Sequence, residues 1–310
     1  MTEVVVVGGS GFVGRAVSAA LERRGVAVRR VSGPRLHLAT MTQSMAVTVL
    51  AAAFTGADAV VNAAGVAAAV SGDDLRLWAA NAELPRVVVS AARRAGVART
   101  VHVSSAAVQG RRPVLDSTWE LDPFSPYSHA KAAGERALQQ AGGHDWVIYR
   151  PAGVHGRDRA VSQTVARFAR SPFAVVPRTA QPTPQALLAN VADAIAWLAT
   201  TPLTPPSVVH HPSEGLTTHS VLTALGGREP HRVPDVWTSA LLAVTRLASA
   251  IVPRSAGTAR RLETLWRGQQ QAPSWLEQSG WQPPLDLGTS WLALGRDIAR
   301  HDNSPAKDPA

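Results

Sequence analysis

The sequence predicts an α/β fold, a doubly wound parallel sheet with a smaller C-terminal substrate domain, and three observations carry that prediction. Val4 to Val7 is a continuous apolar run, the pattern of a strand buried on both faces of a parallel sheet. It leads directly into Gly8-Gly9-Ser10-Gly11-Phe12-Val13-Gly14, beyond which Val13, Val17 and Leu21 repeat at helical spacing. Short apolar strands then alternate with helical stretches as far as Tyr149, and past that point the alternation stops.

Glycines at 8, 11 and 14 supply a tight turn, close backbone approach and room for the next helix to pack on the strand. The helix starts where its N-terminal dipole would face a diphosphate, so the segment reads as a dinucleotide-binding loop, with a purely structural glycine turn as the alternative. Val26 to Val31 is the second strand. About 18 residues past Gly14, where an NAD-preferring protein carries a carboxylate for the adenosine ribose, stands Ser32. Arg29, Arg30 and Arg35 cluster around it and suit a 2′-phosphate, so NADP is expected over NAD; a solvated strand end is the alternative. Ala57 to Gly65 is a strand ending in Ala63, Ala64 and Gly65, small residues that admit a cofactor at the carboxyl edge of the sheet. Residues 81 to 95 make a helix with Leu84, Val87 and Val88 as its apolar stripe and Gly96 closing it. Thr100 to Val103 is another strand, and it delivers Ser104 and Ser105 to the same edge. Pro113 to Pro126 is polar and proline-punctuated, hence a loop, and Trp146 to Tyr149 is the next strand, ending at Arg150-Pro151.

Between them lies a helix over 127 to 141 that carries Tyr127 and Lys131 one turn apart on one face. Each is scarce, since the chain holds two tyrosines and two lysines, the latter Lys131 and Lys307. An ammonium beside a phenol stabilises phenolate, which makes the pair a proton-transfer device; a surface aromatic beside a solvated charge is the alternative. With Ser105 at a strand tip, a hydroxyl, a phenol and an ammonium reach one region.

Length and composition set the bounds. The chain has 310 residues, enough for one large α/β unit or two closely joined domains, and no cysteine, so neither disulfides nor thiolate metal sites hold it. The net charge of +9 is spread along the sequence with no basic run interleaved with aromatics, which argues against a nucleic-acid platform and suits acidic phosphorylated ligands. No basic and apolar leader opens the sequence, and a cytoplasmic protein is expected. Proline-rich stretches at 171–184 and 203–206 flank a helix at Val191 to Leu198. Val236 to Val252, broken by Arg246, is marginal for a membrane span and reads as a buried or subunit-contact helix, with weak surface association as the alternative. The histidines, His210-His211 included, show no metal-ligand spacing, and no metal site is expected. The division expected is a dinucleotide-binding domain over 1–156 completed by about 185–210, a substrate-binding region over 157–184 and 211–300, and a disordered tail at 301–310.

These motifs occur in an order that resembles the extended short-chain dehydrogenase/reductases, the NAD(P)-dependent sugar epimerase/dehydratase group. The likeness rests on Gly8-xx-Gly11-xx-Gly14, Asn62-Ala63-Ala64-Gly65, Asn81, the run Val103 to Gly110, Tyr127-xxx-Lys131 and the run Arg150 to Gly156, with weaker matches at 189–195 and 279–284. The resemblance implies a Rossmann sheet whose small C-terminal domain closes over a substrate, often a nucleotide-sugar, and makes a homodimer through the helices at 81–95 and 127–141 plausible. It implies Ser105, Tyr127 and Lys131 as the catalytic triad. The cofactor would meet Gly8, Ser10, Gly11, Phe12, Val13, Gly14, Ser32, Arg35, Ala63, Ala64, Gly65 and Asn81, as well as Tyr127 and Lys131. Gln109 and His155 stand where the family usually has tyrosine. Ser162 and Gln163 are the nearest polar residues where it often places an asparagine against the substrate diphosphate. The activity expected is an NADPH-dependent ketoreductase acting on a keto nucleotide-sugar. The alternatives are an NAD-dependent 4-epimerase, a reductase or dehydrogenase of a non-sugar secondary metabolite, and a non-catalytic NADP-binding sensor.

Overall fold

The computed structural model describes residues 2–38, 40–67, 74–240, 242–243, 263–264 and 266–302. The chain opens with β1 (Glu3–Val7), α1 (Phe12–Arg23), β2 (Ala27–Val31), α2 (Gln43–Phe54) and β3 (Ala59–Asn62). It continues through α3 (Asp74–Trp78), α4 (Leu84–Arg94), β4 (Arg99–Val103), β5 (Val114–Leu115), α5 (Pro126–Ala141) and β6 (Trp146–Arg150). Then come β7 (Gly153–His155), α6 (Ala160–Arg170), β8 (Val175–Pro177), β9 (Gln185–Leu187), α7 (Leu188–Thr200), β10 (Val208–His210), α8 (Thr218–Gly226) and β11 (His231–Val233).

Six strands form one parallel sheet in the order β10-β6-β4-β3-β1-β2. Val4 to Val7 are fully buried, because both faces of β1 are covered. Leu50 and Phe54 of α2 and Leu84, Val87 and Val88 of α4 pack with Val5, Val7 and Val60. On the other side α1 packs against α7, where Arg24 pairs with Asp193 at 2.7 Å. Between β1 and β3 the strand order reverses direction, and the crevice at the carboxyl ends of two such strands is where an α/β sheet takes its ligand.

The described residues divide into two compact units, the first drawn from 1–152, 188–212 and 271–284, the second from 153–187, 213–270 and 285–310. The sequence placed 271–284 with the second region. Its described contacts lie in the first: Ser274 Oγ donates to His210 O at 2.6 Å and Trp281 Nε1 donates to Asp193 Oδ1 at 2.9 Å. In the second unit β7 pairs with β9 and β8 with β11, both parallel. There α8 lies between α6 and the helix Leu287–Asp302, with Leu222, Leu225, Trp291 and Ile298 buried together. Gly226 and Gly295 allow these crossings, since a Cβ on either would come within 2.7 Å of Ala169 O and 2.2 Å of Ala224 O respectively.

Several expected elements change shape. The helix expected over 81–95 is a π turn, Ala79–Glu83, followed by α4. Pro85 has no N–H to return to the Asn81 carbonyl, so the i→i−4 ladder is interrupted there and the backbone widens. The loop over 113–126 contains β5, and the helix expected over 191–198 runs from Leu188 to Thr200. The expected tail begins two residues too early, because His301 and Asp302 end the last helix; 303–310 lie outside the described residues. Of the apolar stretch at 236–252, residues 236–240 are helical and 241 and 244–252 lie outside the described residues. Among the described residues no helix is long and apolar enough to cross a membrane.

Candidate active site

The glycine loop is a cradle that side chains would fill. Gly8 has φ +79°, a conformation that L side chains rarely adopt, and a Cβ there would lie 2.7 Å from Ala64 Cα. A Cβ on Gly14 would lie 2.1 Å from the Gly8 carbonyl oxygen. Gly11 N donates to that same oxygen at 2.9 Å and Gly11 caps α1, whose first turn carries no acidic side chain. The N-terminus of that helix and the bare glycine backbone fit a dinucleotide diphosphate. Ser10, Phe12 and Val13 lie in the loop and the start of the helix, as expected from the sequence.

Beside the loop is a cleft of about 440 Å³, lined among others by Gly33, Arg35, His37, Ala64, Gly65 and Arg76. The arginine cluster expected around Ser32 is only partly there. Arg29 pairs with Glu3 at 3.0 Å and donates to Thr55 O, while Arg30 pairs with Glu22 at 2.7 Å. Successive residues of a strand point to opposite faces, so these two cannot serve one phosphate together. Arg35 does line the cleft, and so does Arg76 of α3, which no motif or periodicity marks. Ser32 is exposed at the end of β2.

Past β3 the chain passes Ala63 and Ala64 to Gly65, where Asn81 and Lys131 converge. A Cβ on Gly65 would meet Asn81 Oδ1 at 2.8 Å and Lys131 Nζ at 3.2 Å. Asn81 is fully buried, and its amide nitrogen donates to Val66 O at 2.9 Å and Leu77 O at 3.0 Å. Its Oδ1 is buried without a hydrogen-bond partner, an acceptor left for a ligand or a water. The π turn sets this side chain, and Gly134 lets α5 approach it: a Cβ there would lie 2.3 Å from Asn81 O. Lys131 Nζ donates to Val103 O at 2.9 Å, tying α5 to the end of β4. Tyr127, half-buried, sits one turn earlier on α5. That turn is held by Pro126 and by a reciprocal cap between Ser125 and Ser128. Ser105 follows β4 and caps the short helix Ala106–Gln109, which packs against α5; its Oγ accepts from Ala107 N at 3.2 Å.

A model of the NAD dependent epimerase/dehydratase family matches residues 4–177. The chain belongs to this family. Among curated proteins it is similar to a 4-hydroxy-2-methyl-3-oxo-4-farnesyl-3,4-dihydroquinoline-1-oxide ketoreductase of Stigmatella aurantiaca, 32% identical over 49% of this chain and 50% of the relative. The chain thus spans about half the length of that relative. It is also similar to a dTDP-4-dehydrorhamnose reductase of Streptomyces griseus, 28% identical over 85% of this chain and 90% of the relative. In fold it resembles the UDP-glucuronic acid 4-epimerase of Bacillus cereus solved with NAD, with a TM-score of 0.65, 15% identity, and 97% of this chain and 99% of that one covered. Other solved chains with this fold hold NAD or NADP(H).

In this epimerase/dehydratase-family chain the floor of the site is a buried polar network that the sequence did not reveal. Glu135, one turn past Lys131, is fully buried, as is the side chain of Arg150, and they pair at 2.6 Å. Ser104 Oγ donates to Glu135 at 2.5 Å, and Arg150 Nη1 donates to the carbonyls of Asp116 and Thr118. Gln109, in place of the usual tyrosine, is buried and exchanges two hydrogen bonds with Asp116, from Nε2 at 2.6 Å and to Oε1 at 2.9 Å.

His155, at the other departure, is buried against Trp291 and hydrogen-bonded to Gln185 at 2.8 Å and Ser162 at 3.1 Å. Ser162 is therefore not available to a substrate diphosphate: it is fully buried, and its Oγ also accepts from Gly156 N at 3.1 Å. Burial pushes His155 down to about 4 from 6.5, against the opposing hydrogen bond of Gln185. The unfolded chain takes up this proton first, so stability is present above about pH 6.5 and is lost as pH falls toward 4. From this group alone unfolding free energy should fall by about 2 kcal/mol between pH 7 and 5. Denaturant unfolding at both pH values checks this, and His155→Gln should flatten the difference.

Proposed function

We propose that the chain is an NADPH-dependent ketoreductase acting on a keto nucleotide-sugar or related keto-sugar. The observation that carries the reading is the meeting of Lys131 Nζ and the unpartnered Asn81 Oδ1 on Gly65, at the carboxyl edge of the sheet that also bears Ser105. Nicotinamide dinucleotide, when bound, supplies the hydride for the carbonyl carbon. Tyr127 gives its phenolic proton to the carbonyl oxygen, and Ser105 Oγ holds that oxygen by a hydrogen bond. Lys131 binds the ribose hydroxyls of the nicotinamide half and favours the phenolate left on Tyr127. The glycine loop holds the diphosphate. Similarity to a dTDP-4-dehydrorhamnose reductase over 85% of the chain supports a nucleotide-linked 4-keto-sugar.

Arg35 and Arg76 support NADP over NAD, because arginines on the cleft match a 2′-phosphate and no carboxylate lines it among the described residues. Arg35→Asp should raise the NADPH dissociation constant about 10- to 100-fold and leave that for NADH almost unchanged. Fluorescence titration of both nucleotides measures the ratio; an equal change in both would remove Arg35 from the phosphate.

A second reading has its own observation. Ser162 is buried on His155, and Gln163 Nε2 donates to Arg157 O at 3.2 Å, so the loop that often binds a substrate diphosphate has its two expected side chains engaged elsewhere. That favours a non-sugar ketone, the class to which the substrate named for the Stigmatella aurantiaca relative belongs. A panel of nucleotide-linked keto-sugars and polycyclic ketones, assayed with NADPH, separates the two.

A further inference from the structure

Lys131 is a buried cation, 4% exposed, whose one hydrogen bond to a protein atom among the described residues is to the Val103 carbonyl, a neutral group. A buried ammonium with no counter-charge is costly and tends to lose its proton. The nearest elements offer several charged or titratable groups. Tyr127 and Glu135 share its helix; His102 lies on β4, with its Nε2 buried and unpartnered and its Nδ1 3.2 Å from Asn62 Nδ2. Arg150 comes from β6, already bound to Glu135. Asp74 and Arg76 of α3 are exposed and Glu83 of the π turn is half-buried. Burial, aided by the neighbouring charge on Lys131, holds His102 well below its usual range, so that imidazole is neutral. Among these groups Glu135 alone exerts a favourable pull on the ammonium.

We propose that Glu135 is a positioning residue of the reaction: its buried carboxylate is the counter-charge of Lys131 and, through Ser104, locks the strand end that presents Ser105. The arrangement is economical in bonds. One carboxylate takes Ser104 Oγ at 2.5 Å and Arg150 at 2.6 Å, and it stands one turn along α5 from the lysine that also grips β4. Arg150 in turn is fixed by the Asp116 and Thr118 carbonyls, so Glu135 cannot swing away. The helix face, the strand end and the ammonium are thereby held as one rigid corner. Burial lowers Lys131 to about 8, and Glu135 opposes that fall. The inference rests on Lys131 being a working member of the site, as proposed above.

The chain has only two lysines, which makes the test direct. Protein labelled with [ε-13C]lysine gives two signals, assigned with Lys307→Arg, and the Lys131 signal is titrated by NMR in the full chain with and without NADP. The wild type should titrate near 8. In Glu135→Gln the midpoint should move down by about one unit. Because that variant leaves the Arg150 charge buried alone, Glu135→Gln/Arg150→Met removes both charges at similar volume and restores the fold; it too should titrate below wild type. A Lys131 midpoint unchanged in either folded variant reduces Glu135 to a structural ion pair and overturns the proposal. Turnover is a separate readout: the alkaline limb of kcat/KM should follow the NMR midpoint. Absence of turnover on every ketone would sink the reductase reading while the lysine titration still decides the role of Glu135.

Discussion

Tyr127→Phe should lower kcat by about 10²- to 10⁴-fold, the usual contribution of a positioned general acid, and leave NADPH affinity within about twofold. The ring stays in place because the first turn of α5 is held by Pro126 and the Ser125–Ser128 cap, none of which needs the phenol oxygen. Lys131 keeps its bond to Val103 O and its approach to Gly65, so the neighbouring groups remain where they were. Steady-state rates with NADPH and a keto-sugar, paired with nucleotide titration, separate this from a folding defect; a variant with wild-type kcat would show that the proton comes from elsewhere.

Gly14→Ala and Gly8→Ala should each weaken dinucleotide binding about 100-fold or more, whereas Gly11→Ala should cost less than about tenfold. The ranking follows from what each new methyl would strike. At Gly14 it lands 2.1 Å from a backbone oxygen, and at Gly8 it lands 2.7 Å from backbone atoms of Ala64 on a residue that also has positive φ. Neither neighbour is a side chain that can turn aside. At Gly11 the nearest atom is 3.2 Å away, so a shift of a few tenths of an ångström is enough. Calorimetric titration of the three variants with NADPH checks the order; equal losses at all three would mean that the loop does not cradle the diphosphate.

The glycine loop, the parallel strands and the Tyr127–Lys131 pair were legible because each is local: a periodicity, a turn or a one-turn spacing. Asn81 was legible as a residue and not as a geometry. The π turn that aims it arises from Pro85 and from the room left by Gly134, and the second of these lies on another helix. Glu135 and Arg150 went unread for a similar reason. An arginine ending an otherwise apolar strand and a glutamate on the buried side of α5 are both odd, but their pairing depends on where β6 meets α5. The arginines around Ser32 show the opposite failure. Arg29 and Arg30 are adjacent on a strand, and alternation alone rules out a shared target. Arg76 is far from Ser32 in sequence and reaches the cleft only because α3 leads into the π turn beside Gly65. The second unit was least legible: its strands are three residues each, and its helices meet at glycines that no periodicity marks.

The most direct measurement is the nicotinamide absorbance of NADPH mixed with the purified chain and a nucleotide-linked 4-keto-sugar. The expected result is a loss of absorbance matched mole for mole by formation of the corresponding hydroxyl sugar, and nearly absent in Tyr127→Phe. Bound NADPH that is never consumed, with keto-sugars and non-sugar ketones alike, and with wild type and Tyr127→Phe indistinguishable, would contradict it.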